Sequence, residues 1–243
     1  MGSPVKTYQS EMHHNLGFYA TWLPGEAINV GDVGVLKGGR FRCLSSLREL
    51  GIRAVTAQTG TLVDVQYTST RGTSISTSAG VNAVVGSGQI TIDFSDAGAF
   101  LFHAMQMRPT RLENRAEVSD DILHAYEIRK WEKEWLLIEA VHIAKSTTVV
   151  ISEDSKARLV LSAEAKGPIA SLPLADPNAS FSVVSTQGRL FHTIGARELR
   201  PLYSCLRLDD PLLGRPTVLA VRGPNQGPGV VLSRPTIDEL IDS

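Results

Sequence analysis

Residues 119–165, SDDILHAYEIRKWEKEWLLIEAVHIAKSTTVVISEDSKARLVLSAEA, constrain this chain more than any other stretch. TTVVISED is rich in β-branched residues and predicts a strand. RLVLSAEA alternates, with Leu159, Leu161 and Ala163 on one face, so it predicts a second strand after a turn at Glu153-Asp154-Ser155. Ahead of them Ser119 reads as an N-cap, and Asp120 and Asp121 put negative charge on the first turn, where the helix dipole favours it. Ile122, Leu123, Tyr126 and Ile128 give a loose apolar stripe, so a helix is expected over 119–130. EWLLIEAVHIAK supports two readings. Glu, Leu and Ala favour a helix, whereas Leu137, Val141 and Ile143 against Ile138, Ala140 and His142 suit a strand buried on both faces. A strand from about 135 to 152, broken near Ser146, is the preferred expectation.

Other segments follow the same two-residue period. TLVDVQYT sets Val63, Val65 and Tyr67 against Asp64, Gln66 and Thr68. QITIDFSDAGAFLFHA sets Ile90, Ile92 and Phe94 against Gln89, Thr91 and Asp93, and reads as one alternating run from 89 to 104. Lys37-Gly38-Gly39 predicts a hairpin between strands at 27–36 and 40–44. A short helix is expected over 45–50 and a strand over 52–55. Residues 71–80 are small and hydroxylic, with little to bury. Residues 105–118 are expected to be irregular because of Pro109. Hairpins are predicted across 153–155 and across Gln187-Gly188, and a last strand over 217–221. Residues 1–20 are polar and expected to be loosely held. The whole predicts an α+β class: a twisted, mostly antiparallel sheet with a few helices. Residues 1–222 form one domain, followed over 223–243 by a Gly/Pro linker and a C-terminal tail. In that tail Ile237, Leu240 and Ile241 have helical spacing on a segment too short to stand alone.

Composition excludes several classes. Lys and Arg total 24 against 25 acids, so no basic footprint points to nucleic acid. Two cysteines, Cys43 and Cys205, make neither a disulfide scaffold nor a zinc framework, and a reducing compartment is expected. No apolar run reaches the roughly 20 residues of a membrane helix, and residues 1–20 lack a signal core.

No catalytic motif stands out, and no catalytic, metal or cofactor residue is nominated. His13-His14 has no third ligand nearby in sequence. His103, His124, His142 and His192 are scattered beside apolar residues, as core or boundary histidines are. Cys205 lies among Leu202, Tyr203 and Leu206, which predicts a buried, inert thiol, and Cys43 reads the same way. Residues 34–39 lack the Gly-Lys-Ser/Thr ending of a phosphate loop. Trp131 and Trp135, with Lys130 and Lys133 nearby, read either as a helix end packed on the core or as a membrane-interface anchor.

Taken in order, these segments resemble a bacterial gasdermin, a pore-forming family with a twisted antiparallel core. The resemblance implies two amphipathic regions, Thr61–Ala104 and Glu134–Ala165, that refold as membrane hairpins. Ser119–Lys130 would be the helical material between them. It implies that the C-terminal segment, through Ile237, Leu240 and Ile241, holds the protein inactive until a protease removes it. Arg222 is the candidate cleavage point for a trypsin-like enzyme. The implied partners are that protease, a lipid membrane and further copies forming a ring, with no cofactor and no enzymatic activity. The implied setting is the cytoplasm, then the inner membrane, in cell death as bacterial defence. The chain has no cysteine before Cys43 to match the family's acylated one, so membrane engagement would rest on other contacts. Two other readings stay open: a soluble ligand- or protein-binding module, and an enzyme with an unrecognised site.

Overall fold

The computed structural model describes residues 4–79, 86–165, 168–209 and 231–236. These form two antiparallel sheets and two α-helices, the expected α+β class. The N-terminus departs from expectation at once. Pro4–Leu16 is a helix, α1, not a loose segment. Tyr8 and Met12, one turn apart, are fully buried together with Gln9. The Gln9 amide donates to the carbonyls of Ala20 (3.0 Å) and Gly39 (2.7 Å). Tyr8 and Met12, with half-buried Val5 and Leu16, make a narrow inward stripe beside polar Gln9, so it is faint in sequence.

Strand β1 is Tyr19–Ala20. Strands β2, Asp32–Lys37, and β3, Arg40–Ser46, form the predicted hairpin across Gly38-Gly39. The strand expected from 27 begins only at Asp32, and 47–51 is a turn, not a helix, closed by Ser46, which accepts from Leu50 N–H at 3.0 Å. The strand expected at 52–55 lies a little later, as β4, Thr56–Gln58. β5 is Val63–Thr68, and the hydroxylic stretch after it is a true strand, β6, Thr73–Ala79. The run expected to alternate unbroken from 89 to 104 is two strands, β7, Gly86–Phe94, and β8, Phe100–Leu112. β8 passes through Pro109, against the expected irregularity. Pro109 sits between the stretches that pair with β4 and β5, where the ladder is interrupted anyway.

Helix α2 spans Arg115–Glu127, starting four residues before the predicted cap. Ser119 is inside it, its hydroxyl donating back to the Arg115 carbonyl (2.7 Å). The ambiguous region resolves as strand: β9 runs from Leu136 to Ser152 without a break at Ser146. β10 is Ala157–Ala165, β11 Ser180–Gln187 and β12 Leu190–Asp209. β13, Val231–Ser233, is a strand at the start of the tail. The predicted strand at 217–221 lies outside the described residues.

β9 is the spine of the large sheet. It pairs along its length with β12; on the other side its first residues meet β2 and the rest meets β8. β5 and β4 then pair with β8, and β1 and β13 with β12. The small sheet has the order β11-β10-β7-β6. The predicted hairpins at 153–155 and 187–188 are corners instead, since β10 pairs with β7 and β11, whereas β9 pairs with β8 and β12.

Candidate functional site

The two sheets share one strand order. Across the large sheet it is β5-β8-β9-β12, and across the small one β6-β7-β10-β11. Chain continuity links each to its counterpart, β5 to β6, β7 to β8, β9 to β10 and β11 to β12. Four long strands therefore each cross once between sheets. The first two make ribbon I (63–79 and 86–112), the last two ribbon II (136–165 and 180–209). The expected second amphipathic region, 134–165, is only the outgoing half of ribbon II; its return, 180–209, lies beyond 166–179 in the sequence.

The small sheet has two unlike faces. Ile92 sits between Ile75 and Leu159, and Ile90 between Thr77 and Leu161, whose other neighbour is Val183. With Phe94 and Ala163, the central members of this face are buried against Leu101 and Val150 of the large sheet. The opposite face carries Gln89, Thr91, Asp93, Arg158, Ser162 and Glu164, all exposed or half-buried. Alternation produces this division, because successive side chains leave a strand on opposite sides. On the polar face Arg158 Nε reaches Asp93 Oδ1 (2.5 Å), bridging the two ribbons.

The crossings are stitched together. Gly98 N–H donates to Ser152 O and Ser152 N–H to Ala99 O, both at 2.8 Å, tying the β7–β8 corner to the end of β9. Ser95 N–H donates to Gly72 O (2.8 Å), closing the two corners of ribbon I on each other. Gly72 has φ +83°, and a Cβ there would come 2.7 Å from Asp96 Oδ2, so only glycine fits the bend. In ribbon II, Arg189 binds Asp154 through its backbone N–H (2.9 Å), Nε (3.1 Å) and Nη2 (2.8 Å). That pairing holds the Asp154 carboxyl below its usual range.

The start of the tail docks at the far end of ribbon II. β13 adds to the edge of β12, with Leu232 opposite Leu208. Leu232 is buried with Val118 and Ile122 of α2. Beyond it Arg234 Nε donates to Glu139 Oε1 (2.7 Å), while Arg115 of α2 lies 3.2 Å from Glu139 Oε2. Glu139 is buried, so two arginines from different elements neutralise one interior carboxylate. Tyr19 donates its hydroxyl to the Pro235 carbonyl. Residues 234–236 belong to no helix or strand.

Of the residues predicted from sequence, Ile237, Leu240, Ile241 and Arg222 lie outside the described residues. Trp131 is 2% exposed, packed edge-on against half-buried Trp135 at 5.6 Å, so in this state it belongs to the core under α2. Cys205 is buried, and burial pushes its thiol well up, as expected of an inert cysteine. Cys43 corrects the expectation: it is exposed on β3, the strand at the edge of the large sheet. His103 and His142 are buried, and burial takes both down to about 4. Among the described residues no cluster of three or more His, Cys, Asp or Glu is arranged to hold a metal. Among the described residues no helix is long and apolar enough to cross a membrane, which says nothing of strands.

No family model matches the chain, and no curated protein matches it. Among solved structures it is similar to the cryo-EM structure of the gasdermin A3 membrane pore, at 11% identity and TM-score 0.34. The alignment covers 97% of this chain and 95% of that one. At that score the likeness assigns neither fold nor activity.

Proposed function

We propose that this chain is a gasdermin-like pore-forming protein whose ribbons leave the small sheet and extend into a bilayer. The observation that carries the reading is the matched set of crossings: four neighbouring strands bend between the same two sheets. Straightening those bends would turn β6, β7, β10 and β11 into extensions of β5, β8, β9 and β12, with no change in neighbours. A bilayer-spanning strand needs roughly 9–11 residues. β7 and β10 have nine each before any corner residue is added. The face that now meets the core (Ile90, Ile92, Phe94, Leu159, Leu161) would meet lipid, and the polar face would line water. Open edges at β6 and β11 are not tolerated in hydrocarbon, so the working form would be a closed ring of copies.

The C-terminal segment would hold the resting form. It covers the β12 edge, buries Leu232 and supplies one of the two arginines on Glu139. Burying Leu232 contributes about 1.5–3 kcal/mol, enough to bias a marginal switch. We extend this inhibitory role to Ile237, Leu240 and Ile241. An activating protease would cut before β13, with Arg222 as the candidate point, and the chain would move from cytoplasm to inner membrane. Nothing in this reading requires a catalytic residue.

Dye leakage from liposomes tests it, comparing the full chain with a chain ending at Arg222. Leakage from the shortened chain alone is the expected outcome. A folded, monomeric shortened chain that leaves several lipid mixtures intact would overturn the reading.

A further inference from the structure

Helix α1 lies across both corners of ribbon I, and one carboxylate makes most of the connection. Glu11 Oε1 accepts from Thr70 N–H (2.6 Å), from the Thr70 hydroxyl and from the Tyr67 hydroxyl (3.0 Å). Asn15 Nδ2 donates to the same Tyr67 oxygen (2.8 Å). Thr70 lies in the corner between β5 and β6. The other corner of the ribbon is reached one turn earlier on the helix. Gly98 has φ +87°, and a Cβ there would stand 3.3 Å from the Thr7 side chain. Beside it Tyr8 packs edge-on against Phe100, the first residue of β8, with ring centres 4.9 Å apart. Thr7, Tyr8 and Glu11 recur at the three- and four-residue spacing of one helix face, so a single rigid element touches both bends at once.

From this we infer that α1 is a strap on ribbon I: Glu11 holds the β5–β6 corner in its bent form, and displacing the helix frees that ribbon. What the freed ribbon then does rests on the pore-forming reading; the strap itself does not. The chemistry favours a switch. Carboxylate-accepted hydrogen bonds are short and stronger than neutral ones, yet Thr70 is exposed and Tyr67 is half-buried, so water can replace each donor once the helix lifts. Glu11 comes from a segment 59 positions before Thr70. Whatever moves α1, a surface or a second copy, would therefore act on the corner directly.

Hydrogen exchange on the full chain, without lipid, tests the strap independently of whether the protein makes pores. Glu11→Gln removes the charge and keeps the shape. It is expected to speed amide exchange over residues 68–79 and 95–100 by about tenfold, with residues 180–187 unchanged. Thr70→Val keeps Glu11 and the Thr70 amide, and guards against a folding defect in the first variant. It is expected to give a smaller rise in the same places. A rise spread over both ribbons, or no rise, would overturn the strap.

Discussion

Where ribbon II bends from the large sheet into the small one, its own residues close the bend. Asp154 on one strand corner takes three hydrogen bonds from Arg189 on the other, and Ser152 donates its hydroxyl to the Asp154 carbonyl. Ribbon I bends at the same level and is also closed by its own residues, Ser95 N–H on Gly72 O and the Ser69 hydroxyl on Arg71 O, but its outer corner carries in addition Glu11, which belongs to neither strand. The external hold on ribbon II is elsewhere, at the far end in the large sheet, where β13 and Arg234 meet β12 and Glu139. The two ribbons are thus contacted by opposite ends of the chain. Ribbon I takes an outside contact from α1 at its hinge, and ribbon II one from the C-terminal segment at its root. The two are then coupled through the small sheet, where β7 and β10 pair over nine residues.

That coupling is open to the largest test. Ile92 on ribbon I and Leu159 on ribbon II are direct cross-strand partners with no exposed surface. Ile92→Ala and Leu159→Ala are each expected to cost about 2–5 kcal/mol in urea denaturation. Because the residues touch, the double variant should cost measurably less than the sum. Strict additivity would mean that the ribbons do not share a core, and the comparison would reduce to two independent hairpins.

Acid should act on both ribbons alike. His103 lies on β8 in ribbon I and His142 on β9 in ribbon II. Among the described residues, neither His103 Nδ1 nor His142 Nε2 has a hydrogen-bond partner. Burial lowers each from 6.5 to about 4, and Arg111 adds to the effect at His142. The unfolded chain therefore binds protons before the folded one does. Stability is expected to fall as pH drops below 6.5 and to level off near 4, losing up to about 3 kcal/mol per histidine. Melting temperatures across that range check it: His103→Gln and His142→Gln should each flatten part of the slope. If only one does, the ribbons differ in acid response as well as in their hinges.

Much of this was legible in the residues. The alternation of 89–94 and 157–163 set the apolar face of the small sheet in advance, because period two is a local property of strands. Corners were not. Phe94 and Phe100 keep the same parity, so the alternation passed through the bend at 95–99 without a mark; only Gly98 punctuates it, and one glycine inside a strand pattern reads equally as a bulge. Partner choice was also hidden. Glu153-Asp154-Ser155 is turn chemistry whether the chain folds back on β9 or turns into another sheet, and long-range pairing decides between them. α1 was missed because its inward stripe is narrow, with polar Gln9 buried beside Tyr8 and Met12. Ser119 misled for a related reason: the same hydroxyl that caps a helix also bonds back to the carbonyl four residues earlier, and here the helix had already begun.

The smallest expected effect is the sharpest check on the two hinges. Arg189 and Asp154 are solvent-accessible, and screened surface pairs contribute little to global stability. Asp154→Asn should leave the denaturation midpoint nearly unchanged. It should still loosen its own corner, because it removes the charge that Arg189 grips from three positions. Exchange is expected to rise modestly at 153–157 and 187–190 while 68–79 stays as in the unsubstituted chain, the mirror image of Glu11→Gln. The pair has an acid signature too. Arg189 depresses the Asp154 carboxyl below its ordinary 3.8, so its contribution is complete above that value and disappears only as pH falls through the lowered one. The corner of ribbon II should therefore stay closed through the window in which His103 and His142 titrate. If Asp154→Asn instead loosens 68–79 as well, the crossings move as one hinge, and α1 would be holding all four strands rather than one ribbon.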